Sequence, residues 1–232
     1  MKAVLIGCGE IGRAVKEVFE VNNEIEVCEI NRKPKGEFEI MLVAIPYSDD
    51  FIKIVTDYQE EYKVKGTIIF STVPIGTTAQ IPGAVHSPVE GKHPNLASSI
   101  RKMPRWVGGF NETARDFIFT TFDSMVALKS SDWTEFLKLR STSKYGVNIQ
   151  FARYEKSVCD ALAMEFDLVK DFDKDYNELY DAMGMPQFKR YILDAPEGAI
   201  GGHCVVPNAK LLDAQYPSEL LKEIYKGDEN ES

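Results

Sequence analysis

The stretch "KAVLIGCGEIGRAVKEVFE", residues 2–20, decides the fold. Its first half, residues 2–7, opens on Lys2 and continues as an apolar run ending in glycine, the pattern of a parallel strand buried on both faces. Its second half, residues 11–20, repeats apolar side chains at helical spacing through Ile11, Val15, Val18 and Phe19. Between them Gly7, Gly9 and Gly12 stand in GxGxxG spacing, after a strand and opening a helix. Gly7 permits the tight turn, Gly9 lets backbone approach a pyrophosphate, and Gly12 lets the helix pack closely on the sheet. The N-terminus of that helix, with Glu10 and Ile11 in its first turn, then faces the phosphates.

Working outward, strands are expected at 24–30, 38–46 and 66–72, with later ones in "AVHSP" and "RWVGG". A helix capped by Ser48 and Asp49 runs to about Tyr62. Alternating strands and helices predict an α/β fold, a Rossmann-type doubly wound parallel sheet with ligand at the strand C-termini. Ile45 and Pro46, ending the third strand, join the expected cofactor site.

Past Lys129 the pattern changes. Residues 130–166 read as one long helix, or two joined near Gly146. Shorter helices are expected at about 173–183, 186–194 and 217–226, before a frayed polar tail, "GDENES". The organisation is a dinucleotide-binding domain over 1–128 and a smaller all-helical domain over 129–232, the latter on the substrate side and pairing two copies into a homodimer.

Composition excludes several functions. With 27 Lys and Arg against 36 Asp and Glu, the formal net charge of −9 argues against a nucleic-acid partner, which needs a basic surface. No apolar run approaches the ~20 residues of a membrane span, and no signal peptide is visible. The cysteines, Cys8, Cys28, Cys159 and Cys204, lack paired spacing, which fits free thiols in the cytoplasm. The three histidines are too scattered for a metal site, and none is expected.

The tip of the second strand selects the cofactor. "VCEINRKPK" (27–35) places Asn31, Arg32 and Lys33 where an acidic residue would bind the ribose hydroxyls of NAD. A basic fork suits a 2′-phosphate and favours NADP over NAD. Glu29 is the one acidic candidate, two residues before the tip. Arg101, Lys102 and Arg105 read as a solvated basic face.

"STVPIGTT" (71–78), "SPVEG" (87–91) with "IRKMPRWVGG" (100–109), "TEFLKL" (134–139) with "VNIQFA" (147–152), and "GGHC" (201–204) occur in that order. Together they resemble the nucleotide-sugar dehydrogenases, of the UDP-glucose and UDP-N-acetylmannosamine type, within the 6-phosphogluconate dehydrogenase-like group. The resemblance implies oxidation of an alcohol to an aldehyde and then an acid, with a cysteine forming a thiohemiacetal and a thioester. It implies Cys204 as nucleophile, Lys138 as the oxyanion-stabilising lysine, Glu90 as the proton-handling glutamate and Thr72 beside the nicotinamide.

This sequence departs from the family's pattern at two functional positions. Thr142 stands where the family has asparagine, and Asn208, in the expected catalytic set, stands where it has aspartate. About twenty residues follow "GGHCVVPNAKLL", whereas the family continues into a UDP-binding domain. The expectation is therefore an NAD(P)-dependent oxidoreductase acting on an alcohol or aldehyde, a sugar-derived one among the candidates. The alternatives are a dinucleotide-binding sensor or subunit that has lost catalysis, and single-step hydride transfer to a small acid with Cys204 a bystander.

Overall fold

The computed structural model describes residues 1–91, 94–198, 200 and 204–226. The expected frayed tail (227–232) and His93, Gly201, Gly202 and His203 lie outside the described residues. The chain divides into two compact units, Met1–Leu139 and Arg140–Ser232. The division falls inside a helix, eleven residues beyond the boundary expected at 128/129.

Unit 1 is built on one seven-stranded sheet. In chain order its elements are β1 (Lys2–Ile6), α1 (Glu10–Phe19), β2 (Glu24–Cys28), β3 (Ile40–Val43), α2 (Phe51–Tyr62), β4 (Gly66–Ile69), β5 (Ala84–His86), α3 (Leu96–Lys102), β6 (Arg105–Gly108), α4 (Glu112–Phe119) and β7 (Met125–Leu128). The strand order is β2-β1-β3-β4-β5-β6-β7. All pairs are parallel except β5 with β6, which meet antiparallel at His86 and Gly108. Strand order reverses between β1 and β3, so their C-terminal ends frame the crevice where such sheets bind ligands.

The apolar runs are continuous because both faces of the sheet are covered. On β1, Ala3 and Leu5 point to one core with Val15, Val18 and Phe19 of α1, while Val4 and Ile6 point to the other with Phe51 and Val55 of α2. Phe19 is the hub of the first core, its ring 5.1 Å from Phe117, 5.5 Å from Phe122 and 6.0 Å from Phe70. Burying such a side chain is worth about 3 kcal/mol.

Several expectations are corrected. The helix expected to be capped by Ser48 and Asp49 begins at Phe51 after Asp50, with no side-chain cap. Arg105 is not on a solvated face: it is 1% exposed, its guanidinium 5.6 Å from the Phe122 ring. Burial draws its pKa down to about 10. Its neighbour Arg101 pairs with Glu17 at 3.0 Å.

One helix, α5 (Ser131–Ala161), carries the chain from unit 1 into unit 2. Its start is capped by Ser130, whose hydroxyl accepts from the Asp132 amide at 3.2 Å. It runs unbroken through Gly146, which resolves the choice between one helix and two. Glycine is favoured there because a Cβ would lie 2.8 Å from a Val205 methyl and 2.9 Å from an Ile224 methyl, both of which would have to shift.

Unit 2 adds α6 (Asp167–Ala182), α7 (Val205–Gln215) and α8 (Glu219–Tyr225). The helix expected from 173 begins six residues earlier, at Asp167. The helix expected at 186–194 is a single 3₁₀ turn, Pro186–Phe188. The core of unit 2 is small, with Ile149, Ile200, Val205, Val206, Ala209 and Ile224. No residue of α6 is buried.

Candidate functional site: a glycine cradle and a polar-faced helix

The cradle forms where β1 turns into α1. Gly7 has φ +86°, and a Cβ there would lie 2.7 Å from the Ala44 carbonyl oxygen. A Cβ on Gly12 would strike the Gly7 carbonyl oxygen at 2.2 Å, so α1 can pack this close only with glycine. Gly9 differs: it has an ordinary φ of −67°, and nothing lies within 4 Å of where its Cβ would be. Two glycines are thus required by the protein's own packing, and the third faces open space before the amides of Glu10 and Ile11. That is the arrangement for backbone contact with an anion at a helix N-terminus.

Beside it lies a cavity of about 790 Å³, lined by residues following β1, β2 and β3 and by α2. Of the expected cofactor residues, Gly7, Asn31, Ile45 and Pro46 line it. Arg32 and Lys33 do not. Arg32 closes a tight turn, exchanging backbone hydrogen bonds with Glu29 at 2.8 and 3.0 Å. Lys33 is held by Glu61 at 2.7 Å, over the Tyr58 ring, and this carboxylate raises its pKa. Glu29, Ile54 and Tyr58 also stand in the wall. The α2 residues were not anticipated, because their apolar spacing reads equally as core.

Beyond β4 the loop carrying Thr72 is fixed from α5. His86 is fully buried, its Nε2 3.2 Å from the Ser71 carbonyl and its Nδ1 2.9 Å from the Thr134 hydroxyl. A carbonyl only accepts, so Nε2 bears the proton, and Nδ1 faces the Thr134 hydroxyl, which also reaches the Ser131 carbonyl at 2.9 Å. Burial lowers the His86 pKa to about 4, and the imidazole is neutral at pH 7. Glu135, also fully buried, accepts from the amides of Gly76 at 2.6 Å and Thr78 at 2.8 Å. Burial raises its pKa, against the lowering effect of those hydrogen bonds.

One turn on, Lys138 donates to the Val89 carbonyl at 2.6 Å and lies 3.6 Å from Glu90. Its side chain is only 12% exposed, unlike that of a solvated surface lysine. The expected pair of Lys138 and Glu90 is therefore brought together.

In unit 2, Cys204 is exposed and immediately precedes α7. Asn208, one turn later, is buried, and its Nδ2 donates to the Thr142 hydroxyl at 3.0 Å. The two residues that depart from the expected pattern are thus each other's partners. Among the described residues no cluster of His, Cys, Asp or Glu is suited to a metal, and no helix is long and apolar enough to cross a membrane.

Sheet order and glycine cradle define a Rossmann-type α/β protein with a second, helical unit. No protein-family model and no curated protein matches the chain. Among solved structures, its fold is similar to that of a UDP-D-ManNAc dehydrogenase from Pyrococcus horikoshii, at 16% identity and a TM-score of 0.73. It is likewise similar to a UDP-glucose dehydrogenase from Pyrobaculum islandicum, at 14% identity and a TM-score of 0.70. Each match covers 99% of this chain and 68% of the other. A 3-hydroxyisobutyrate dehydrogenase from Mycobacterium tuberculosis matches at 9% identity and a TM-score of 0.68, covering 97% of this chain and 91% of that one.

Proposed function

We propose that this protein binds a nicotinamide dinucleotide at the β1/β3 crevice and transfers hydride to or from a small alcohol or aldehyde, the pyrophosphate resting on Gly9 and the N-terminus of α1. The observation that carries this reading is the contrast among the three glycines: Gly7 and Gly12 are sterically required, while Gly9 leaves space a ligand can fill. Lys138, held by Val89 beside Glu90, is the residue that stabilises charge on the substrate oxygen.

NADP is the cofactor suggested by the basic tip, with recognition of the 2′-phosphate resting on Arg32 because Lys33 is engaged by Glu61. The place of Glu29 in the cavity wall supports NAD as the second reading. Calorimetry with NADP and NAD separates them. On the first reading Arg32→Ala weakens NADP selectively; preferential binding of NAD by the wild type would overturn it.

Cys204 is the nucleophile of the reading in which the aldehyde is oxidised further, and Cys204→Ser then abolishes turnover. The neutral Asn208–Thr142 pair supports the alternative of a dinucleotide-binding protein without that chemistry. The four free cysteines support a cytoplasmic location. The exposed Phe151, Tyr154 and Leu162 of α5 and Leu168 and Phe172 of α6 support a homodimer formed through unit 2.

A further inference from the structure

We propose that Glu135 is a positioning residue that shapes the 71–78 loop to receive the nicotinamide half of the dinucleotide. The inference rests on the dinucleotide reading above and concerns unit 1 alone.

The direction of a bound dinucleotide follows from the order of the strands. The cavity beside the cradle is walled by residues after β1, β2 and β3 and by α2, on the β2 side of the crevice. A dinucleotide with its pyrophosphate on α1 and one nucleoside in that cavity must extend its other half away from β2. Its path crosses the C-terminal ends of β3 and β4, neighbouring strands about 5 Å apart. The segment rising from the end of β4 is Ser71–Thr78.

Before its 3₁₀ turn at Thr78–Gln80 that segment holds one turn of its own, in which the Thr77 amide and hydroxyl donate to the Pro74 carbonyl at 3.2 and 2.7 Å. It is also fastened to α5 through two buried routes. At one end the Ser71 carbonyl is tied through His86 to Thr134. At the other the two oxygens of Glu135 take the amides of Gly76 and Thr78. A carboxylate accepts at both oxygens, whereas a glutamine amide would turn a donor toward one of those amides. A fully buried acid is costly to keep, and two charge-assisted hydrogen bonds to one loop offset that cost only while the loop holds this form. Gly76 sits at φ +88° beside the contact, a conformation that fixes where its amide points.

The test compares two ligands that differ only in the nicotinamide. Calorimetry measures binding of NADH or NADPH, whichever the wild type prefers, and of ADP-ribose or its 2′-phosphate to match. In Glu135→Gln the reduced cofactor is expected to bind about ten-fold more weakly, the size of one lost charge-assisted hydrogen bond, while the ADP-ribose compound binds as in the wild type. Thr134→Val, acting on the same loop through His86, is expected to give the same selective loss and serves should Glu135→Gln fail to fold. Equal affinity of wild type and variants for the reduced cofactor overturns the proposal. So does equal weakening of both ligands with a lowered melting temperature, which marks a merely structural role. A wild type that binds neither ligand overturns the dinucleotide reading itself, a result distinguishable from the other two.

Discussion

The two units solve the same folding problem unequally. Unit 1 covers both faces of its sheet and places polar side chains inside with assigned partners: His86 with Thr134 and Ser71, Glu135 with Gly76 and Thr78. Unit 2 has a core of a few aliphatic side chains and a sixteen-residue helix with none buried, while Phe151, Phe172 and Leu179 remain exposed. The difference teaches that unit 1 is a self-sufficient scaffold able to hold buried polar groups at fixed positions. Unit 2, among its described residues, has a small aliphatic core and leaves large apolar side chains in solvent.

Phe19→Ala strikes the better-built unit hardest. It empties the hub of three aromatic contacts, and a loss of about 4 kcal/mol is expected in denaturant unfolding. A loss under 1 kcal/mol would show that this core is not what holds unit 1 together.

The buried polar interior gives unit 1 a pH signature. His86 binds its proton near 6.5 in the unfolded chain but near 4 when folded, so between those values the unfolded state holds more protons. Its contribution therefore falls as the pH drops from about 6.5 to 4, by about 3 kcal/mol in all. Glu135, raised by burial, contributes with the opposite sign, so the comparison is made against His86→Gln. The variant's stability is expected to change less steeply with pH over that window; identical slopes would remove the neutral buried imidazole.

Gly146→Ala probes unit 2. Crowding Val205 and Ile224 costs about 2 kcal/mol, against about 1 kcal/mol gained in helix propensity, for a net loss of about 1 kcal/mol. Hydrogen exchange should register that loss in α7 and α8 and leave β1 to β4 unchanged. Loosening of both units together would erase the contrast between them.

Much of unit 1 was legible in its sequence because β1, β3 and β4 hold apolar runs and β1 leads straight into Gly7, a pattern with few competing readings. What escaped has physical causes. The strand opening at Arg105 was expected, but not the burial of its first residue: Arg105, a charge in a strand, lies against an aromatic ring instead of in solvent. The helix α7 hid behind the "GGHC" glycines and Pro207, which the first turn of a helix tolerates. Glu135 went unnoticed because α5 begins inside out, with Trp133 and Phe136 exposed and Thr134 and Glu135 buried. Amphipathic spacing assigns such positions the wrong way round. That inversion is itself the signal: an acid and a threonine between two aromatics, one turn before the expected lysine.

The central claim is that the space at Gly9 is occupied by a dinucleotide, and Gly9→Val tests it most directly. The backbone at Gly9 is open to any residue and an added Cβ meets nothing, so the variant should melt as the wild type does. Titrated with NADP and NAD in a calorimeter, the wild type is expected to bind at least one of them and the variant neither. A wild type that binds neither cofactor, or a folded Gly9→Val that binds as well as the wild type, would contradict the account.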